Sequence, residues 1–270
     1  MTKRDVLLAC DENALPQAMT TVYSLLVNLM QPELYRITLV YFGEPDAARA
    51  TLAEFTDTRA ELRVVKGLDT YAHTPVCMKG LATPTFARLE LSKYVPADSK
   101  RVLWLDTDVL VLDDLTELFV MQLPTVVAAV RARCFMVGTQ VHHEGCNTGV
   151  LVVDVDKWIT ADIEAKCLQQ TKVNPRNCEV ILNLALGLGR MCTYISSVFN
   201  YLQSGMRCSL RAFNKATLNG RTDVRIVHYQ GGRKPWKYKN MYLAELWHMY
   251  AARQVDRKKQ KELLTAATVC

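Results

Sequence analysis

The sequence predicts an α/β protein, a central sheet flanked by helices, and three observations predict it. Over the first 110 residues, short apolar runs alternate with longer stretches of helical periodicity, the pattern of a sheet with helices on both faces. Length and composition agree: 270 residues, 50% hydrophobic and 22% charged, suit one large α/β domain. Two acids, Asp11 and Asp106, stand just past apolar runs. In open α/β sheets ligands bind beyond the carboxyl ends of strands, so both acids point to one crevice.

The elements follow in chain order. Asp5–Cys10 reads as a strand. Residues 15–30 read as a helix, with Leu15, Met19, Val22, Leu25, Leu26 and Leu29 at helical spacing, Asn13 as N-cap and Pro16 tolerated in the first turn. A strand over Arg36–Phe42, a helix over 45–56 and a strand over Leu62–Lys66 come next. "TPTFARLELSKYV", 83–95, reads as a helix opening after Thr-Pro. Strands are predicted over Val102–Leu105, Val126–Val130 and Gly149–Val155, and helices over 156–171 and 176–188. A short strand over Val224–Val227 and an aromatic-rich helix over 241–253 complete the chain. The expected division is one domain over 1–238 and a basic helical extension over 239–270.

Net charge is +6, from 33 Lys+Arg against 27 Asp+Glu. That mild excess suits an anionic ligand and is too weak to argue for nucleic acid. Part of it is local to "RQVDRKKQKE", 253–262, a solvated helix end or a contact for an acidic or membrane surface. The apolar run Val6–Cys10 is too short for a signal peptide, and no segment approaches a membrane span. Nine scattered cysteines without a Cys-x-x-Cys read as reduced, mostly buried thiols. The expected location is cytoplasmic, with peripheral membrane contact through the C-terminal helix as an option. "HHEGC", 142–146, lacks the second half of a zinc site.

"RVLWLDTDVLVLDD", 101–114, sets Asp106 and Asp108 where a core strand stops. Unpaired buried carboxylates are costly unless hydrogen-bonded, ion-paired or metal-bound, and no Lys or Arg follows Arg101 in the run. A solvated turn and a cation site are the two readings. Four other stretches bear on the choice. "ACDEN" (9–13) joins a strand to an acid and an amide. "FARLEL" (86–91) carries Arg88. "CNTGVLVVDVDKW" (146–158) puts Asn147 and Gly149 before a buried strand. "HYQGGRKPW" (228–236) has a His at a strand end, two glycines and Lys234, a composition suited to phosphate.

Each stretch has an ordinary structural reading by itself. Their order and spacing together resemble glycosyltransferase family 8, the group of the glycogenins and the bacterial lipooligosaccharide galactosyltransferases, over about residues 5–236. The resemblance implies a GT-A fold with a Rossmann-like mixed sheet. It implies a retaining hexosyltransferase that uses a UDP-sugar and Mn²⁺ (Mg²⁺ being possible) and acts on a glycan, lipid-glycan or protein acceptor. It implies Asp106, Asp108 and His228 as metal ligands. Donor binding falls to Ala9, Asp11, Asn13, Leu81, Arg88, Asp106, Thr107, Asp108, Asn147, Gly231 and Lys234. The resemblance places Asn147 beside the donor sugar as a candidate catalytic residue, and implies that Asp11 and Asn13 hold the uridine and that Gly231 and Lys234 clamp the pyrophosphate.

The chain also departs from the family. In "NCEVILN", 177–183, Cys178 and Val180 replace two acids and Glu179 replaces a glutamine. Glu179 is therefore a candidate catalytic carboxylate, either stabilising an oxocarbenium-like carbon or attacking it. Arg131 stands where relatives tend to carry an Asp, which would suit an anionic or acetylated sugar. Phe199, Asn200 and Tyr201 either line an acceptor cleft or pack. Other readings are a self-glucosylating primer among whose 11 tyrosines one is the acceptor, a UDP-sugar-binding protein without chemistry, and a phosphatase of the haloacid-dehalogenase type, which "LDTDVLV" resembles. In that last group the acidic motif follows the first strand; here several elements precede it.

Overall fold

The computed structural model describes residues 3–55, 58–72, 83–132, 135–137, 140–142, 145–173, 177–202, 223–241 and 243–255. Strands β1 (Arg4–Asp11), β2 (Tyr35–Phe42), β3 (Glu61–Lys66), β4 (Arg101–Leu105), β6 (Val127–Ala129), β9 (Val150–Asp154) and β10 (Cys192–Tyr194) form one sheet in the order β10-β6-β9-β4-β1-β2-β3. β4, β1, β2 and β3 run parallel, and β9 runs antiparallel to both β4 and β6. The sheet is thus mixed, and β9 is the reason. A smaller sheet, β11-β12-β5, joins Tyr201–Leu202, Ile226–His228 and Val109–Val111. β7 (Phe135–Val137) and β8 (Gln140–His142) make a separate hairpin.

Alternation along the buried strands divides the core between the two faces. Leu8, Leu39 and Leu105 point to helix α1 (Leu15–Asn28), which buries Met19, Val22 and Leu25 against them. Leu7, Trp104 and Leu151 point the other way, to Phe86, Trp158 and helix α6 (Cys178–Ala185) through Ile181 and Leu182. Asp5 lies inside this core, held by Arg36 on the neighbouring strand, Nη2 to Oδ2 at 3.0 Å.

Several predicted elements shift. The helix expected over 83–95 is a 3₁₀ run, Thr83–Lys93, kinked at Glu90 (φ −136°, ψ 34°). Glu90 is buried there and accepts from Tyr94 Oη at 2.7 Å and from Lys93 Nζ at 2.9 Å. The helix expected over 156–171 is two, α4 (Val155–Thr160) and α5 (Ile163–Val173), broken at Asp162, whose φ is +52°. Asn13 does not cap α1; its cap is Ala14, and Asp11 instead caps the preceding 3₁₀ turn, Ala14 N to Oδ1 at 3.0 Å. Helices α2 (Pro45–Leu52) and α3 (Thr116–Val120) lie outside the site.

The strand β5 fits no expected element. Its backbone is held on one side by β12 and on the other by a polar stripe of α1. Thr21 Oγ1 donates to Val109 O at 2.8 Å, Val111 N donates to Ser24 Oγ at 3.0 Å, and Asn28 Nδ2 donates to Val111 O at 3.0 Å. A buried edge needs such partners. They fix the segment that follows Asp108.

The C-terminal helix, 244–255 in the described residues, packs Trp247 against Tyr229 and Trp236, ring centroids 5.4 and 4.9 Å away. The boundary expected at 238 therefore falls between two segments that share one aromatic cluster. Among the described residues no helix is long and apolar enough to cross a membrane. The basic residues from 256 on lie outside the described residues.

Candidate active site

Topology explains how residues far apart in sequence meet. β4 ends at Leu105, and its antiparallel neighbour β9 begins at Val150, directly opposite. Asp106 N donates to Gly149 O at 2.8 Å, so Asn147–Gly149 lies beside the acidic turn. On the other side of that turn β5 pairs with β12 so that Val109 faces His228. Tyr229 N donates to Asp108 O at 2.9 Å.

The result is a cluster of Asp106, Asp108 and His228 whose ligand atoms all lie within 4.8 Å of one another. His228 Nε2 is 3.3 Å from Asp108 Oδ1 and 4.0 Å from Asp106 Oδ2. Neighbouring ligands of an octahedral cation about 2.1 Å from each donor stand roughly 3 Å apart, so the three groups fit such an ion with small adjustments. Two carboxylates and an imidazole form a mixed oxygen and nitrogen donor set.

Each acid also has a cation partner, which the local sequence does not contain. Arg88 Nη2 donates to Asp106 Oδ1 at 2.6 Å. Its other nitrogens donate to Thr85 O (2.9 Å), Thr148 O (2.7 Å) and Thr148 Oγ1 (3.0 Å), and the guanidinium lies over Trp104. Arg88 is buried, and each of its three nitrogens donates a hydrogen bond. Trp104 Nε1 adds a bond to Asp106 Oδ1 at 2.9 Å. Lys234 Nζ pairs with Asp108 Oδ2 and donates to Tyr229 O at 2.9 Å. Burial works against the Asp108 carboxylate, but His228 and Lys234 outweigh it and hold its pKa well below the usual range.

The remaining expected residues fall around this centre. Asp11 lines a cleft of about 500 Å³ at the carboxyl ends of β1, β2 and β3, with Phe42, Lys66, Gly67, Thr83 and Pro84 among its walls. Asn13 is exposed, two residues past β1, and Ala9 lies near the strand's end. Thr107 lies between the two acids, its carbonyl taken by Thr21 Oγ1 at 3.1 Å. Gly231 has φ +90°, a left-handed backbone that favours glycine, and open space where a Cβ would be. Leu81 lies outside the described residues, as do 143 and 144 of "HHEGC".

Glu179 sits in the first turn of α6, close enough for its charge to act on Arg88 and Cys178. Burial pushes its carboxyl up, Asp106 adds to this, and Arg88 and His228 oppose it. No hydrogen bond from a described residue reaches that carboxylate. Arg131 is exposed, bridged to Cys146, and its guanidinium stacks 4.0 Å over the Tyr194 ring.

Sequence reasoning names Asn200 only as lining an acceptor cleft or packing, and it misses Asn183. Asn200 does not line a cleft; it is fully buried, 2.9 Å from His228 Nδ1 and donating to Asn147 Oδ1 at 2.7 Å. Asn183 pins Cys146 from both sides: Cys146 N donates to its Oδ1 (2.8 Å) and its Nδ2 donates to Cys146 O (2.9 Å).

Residues 5–240 match the family described as Glycosyl transferase family 8. Two curated relatives from Streptococcus pneumoniae serotype 4 (strain TIGR4) are similar: the glycosyltransferase GlyE, 29% identical over 62% of this chain and 41% of its own length, and the glycosyltransferase GlyF, 30% identical over 57% and 38%. The match thus spans about two fifths of those relatives. Among solved structures, the galactosyltransferase LgtC in complex with donor and acceptor sugar analogs is 25% identical, with a TM-score of 0.72 over 92% of this chain and 95% of that one. The GlyE crystal structure superposes with a TM-score of 0.70 at 24% identity, over 97% of this chain and 64% of that one.

Proposed function

The chain belongs to glycosyltransferase family 8 and has the GT-A fold, and we propose that it moves a hexose from a UDP-sugar to a glycan, lipid-glycan or protein acceptor with retention of configuration. The observation that carries this reading is the convergence of Asp106, Asp108 and His228 beside Arg88 and Lys234 at one end of the sheet. LgtC, solved with donor and acceptor analogs, supports a two-sugar reaction.

Asp106, Asp108 and His228 would hold a divalent cation, which would neutralise charge on the diphosphate leaving group. The imidazole in the donor set favours Mn²⁺ over Mg²⁺, which prefers oxygen. Asp11, Asn13 and Ala9 hold the uridine at the cleft beyond β1–β3, with Leu81 and Thr107 as further donor contacts. Lys234 exchanges its Asp108 partner for phosphate oxygens, and the Gly231 backbone approaches them without a side chain in the way. Arg88 holds Asp106 in place through its 2.6 Å hydrogen bond.

As the anomeric C–O bond breaks, its electron pair goes to the diphosphate oxygen, and Lys234 stabilises the developing charge. Asn147 lies on the sugar side, and the Glu179 carboxylate opposes the positive charge that builds on carbon. The acceptor hydroxyl forms the new C–O bond on the face the nucleotide leaves, and its proton passes to the departing diphosphate. Alternatively Glu179 forms a glycosyl ester first. Intact mass after exposure to donor alone separates the two: a hexose increment mapped to Glu179 marks the ester.

The test is a panel of UDP-sugars scored by UDP release with and without Mn²⁺. Metal-dependent release from one donor supports the reading. UDP binding with no release from any donor, with or without acceptors, favours a binding protein without chemistry. Hexose increments on a tyrosine after UDP-glucose would make the chain its own acceptor.

A further inference from the structure

Asn200 is fully buried, at the end of the 3₁₀ turn Ser197–Phe199 and just before β11. β11 runs parallel to β12, with Leu202 opposite His228, which brings the Asn200 amide to the inner side of the imidazole. Its two ends face two different site residues. Oδ1 is 2.9 Å from His228 Nδ1, and Nδ2 is 2.7 Å from Asn147 Oδ1.

The direction of this chain of bonds is fixed by one group that has no choice. A backbone N–H can only donate. Gly149 N–H donates to Asn147 Oδ1 at 3.1 Å, which makes that atom the amide oxygen. Asn200 must then present its NH₂ to Asn147, and its oxygen to His228. His228 Nδ1 must carry a proton to meet that oxygen. In the neutral imidazole this leaves the Nε2 lone pair as the free acceptor. Nε2 is the atom 3.3 Å from Asp108 Oδ1 and 4.0 Å from Asp106 Oδ2.

We propose that Asn200 is a positioning residue that fixes the tautomer and angle of His228 for the cation and ties it to Asn147 on the sugar side. This rests on the proposed cation site. The Gly149 amide is the origin of the relay, so the same strand end that packs against His228 also determines which of its nitrogens is a ligand. Outer partners of this kind typically set metal affinity within about 10–100-fold.

The experiment measures Mn²⁺ affinity of the full chain by EPR titration with UDP present, for wild type, Asn200→Asp and Asn200→Leu. Near-UV circular dichroism checks that each variant is folded, and Asn200→Ala replaces the Leu variant if that one is not. Aspartate keeps the oxygen that faces His228 Nδ1 but sets its second oxygen against Asn147 Oδ1, so its Mn²⁺ affinity falls less than that of the Leu variant. Leucine loses both bonds, and its affinity falls about 10-fold or more. A folded Asn200→Leu chain with wild-type affinity overturns the proposal, and so does an Asn200→Asp chain that loses as much as the Leu variant. Wild type that binds no Mn²⁺ overturns the cation site itself, and this role with it.

Discussion

Replacing Gly149 with alanine adds one methyl group at the point where the site is tightest. Its Cβ would stand 2.2 Å from His228 Cε1, 2.9 Å from His228 Nδ1 and 2.9 Å from Asp106 Oδ2. Favourable carbon contacts lie at about 3.5–4.0 Å, so the imidazole must recede by roughly 1.3 Å or more. It has little room, because His228 is 3% exposed and already bonded to Asn200. Gly149 does not occupy the left-handed region, so the effect is steric and not backbone strain. Overpacking of this kind costs about 1–3 kcal/mol of stability. Displacing a ligand costs at least what losing its support does, about 10–100-fold in metal affinity, or about 1.4–2.8 kcal/mol. The assay is an Mn²⁺ titration with UDP present, beside a metal-free melt. Gly149→Ala is expected to melt lower and to bind Mn²⁺ at least about 10-fold more weakly. A folded variant with wild-type Mn²⁺ affinity would refute the reasoning, since His228 would then not need its place.

Three further substitutions test the same geometry. Glu179→Gln leaves UDP-sugar binding intact and lowers transfer; unchanged turnover removes Glu179 from the mechanism. Its stability effect has a definite sign: burial raises the Glu179 pKa, so the unfolded chain loses this proton first as pH rises past about 4.3, and folding is weakened above that pH. Glu179→Gln should therefore melt higher than wild type at pH 7, with the gain shrinking toward pH 4, which thermal melts across pH will check. Arg88→Ala strands Asp106 without its buried partner and costs about 3 kcal/mol, the low end for a broken buried pair because Asp106 keeps some solvent contact; a denaturant melt within 1 kcal/mol of wild type would contradict that, about one third of the expected loss. If Arg131 reads the sugar, a donor panel including uronic acids shows a preference that Arg131→Gln abolishes; a flat panel counts against it.

Strands β1, β2 and β4 were legible because they are buried on both faces, and β3, a partly exposed edge strand, through its short apolar centre. The acids at their ends were legible because carboxylates are rare at such places without a reason. What the chain hides is pairing across distance. Arg88 and Lys234 neutralise Asp106 and Asp108, yet Lys234 is 126 residues from its partner and only the fold brings them together. β5 was missed because "VLVL" directly follows Asp108 with no turn residue of its own, and its edge partners, Thr21, Ser24 and Asn28, lie between the apolar positions that mark α1. The break at Asp162 carries no glycine or proline to announce it. Asn200 reads in the sequence as lining an acceptor cleft or packing, because the two groups it meets, Asn147 and His228, come from other strand ends.

Crystals grown with UDP and Mn²⁺, measured on both sides of the manganese absorption edge, test the central claim most directly. The account predicts one strong anomalous peak ringed by Asp106, Asp108 and His228 Nε2, with the diphosphate on its open side and Lys234 turned from Asp108 to the phosphates. A peak elsewhere in the chain, or one at the acids with His228 turned away, would contradict it.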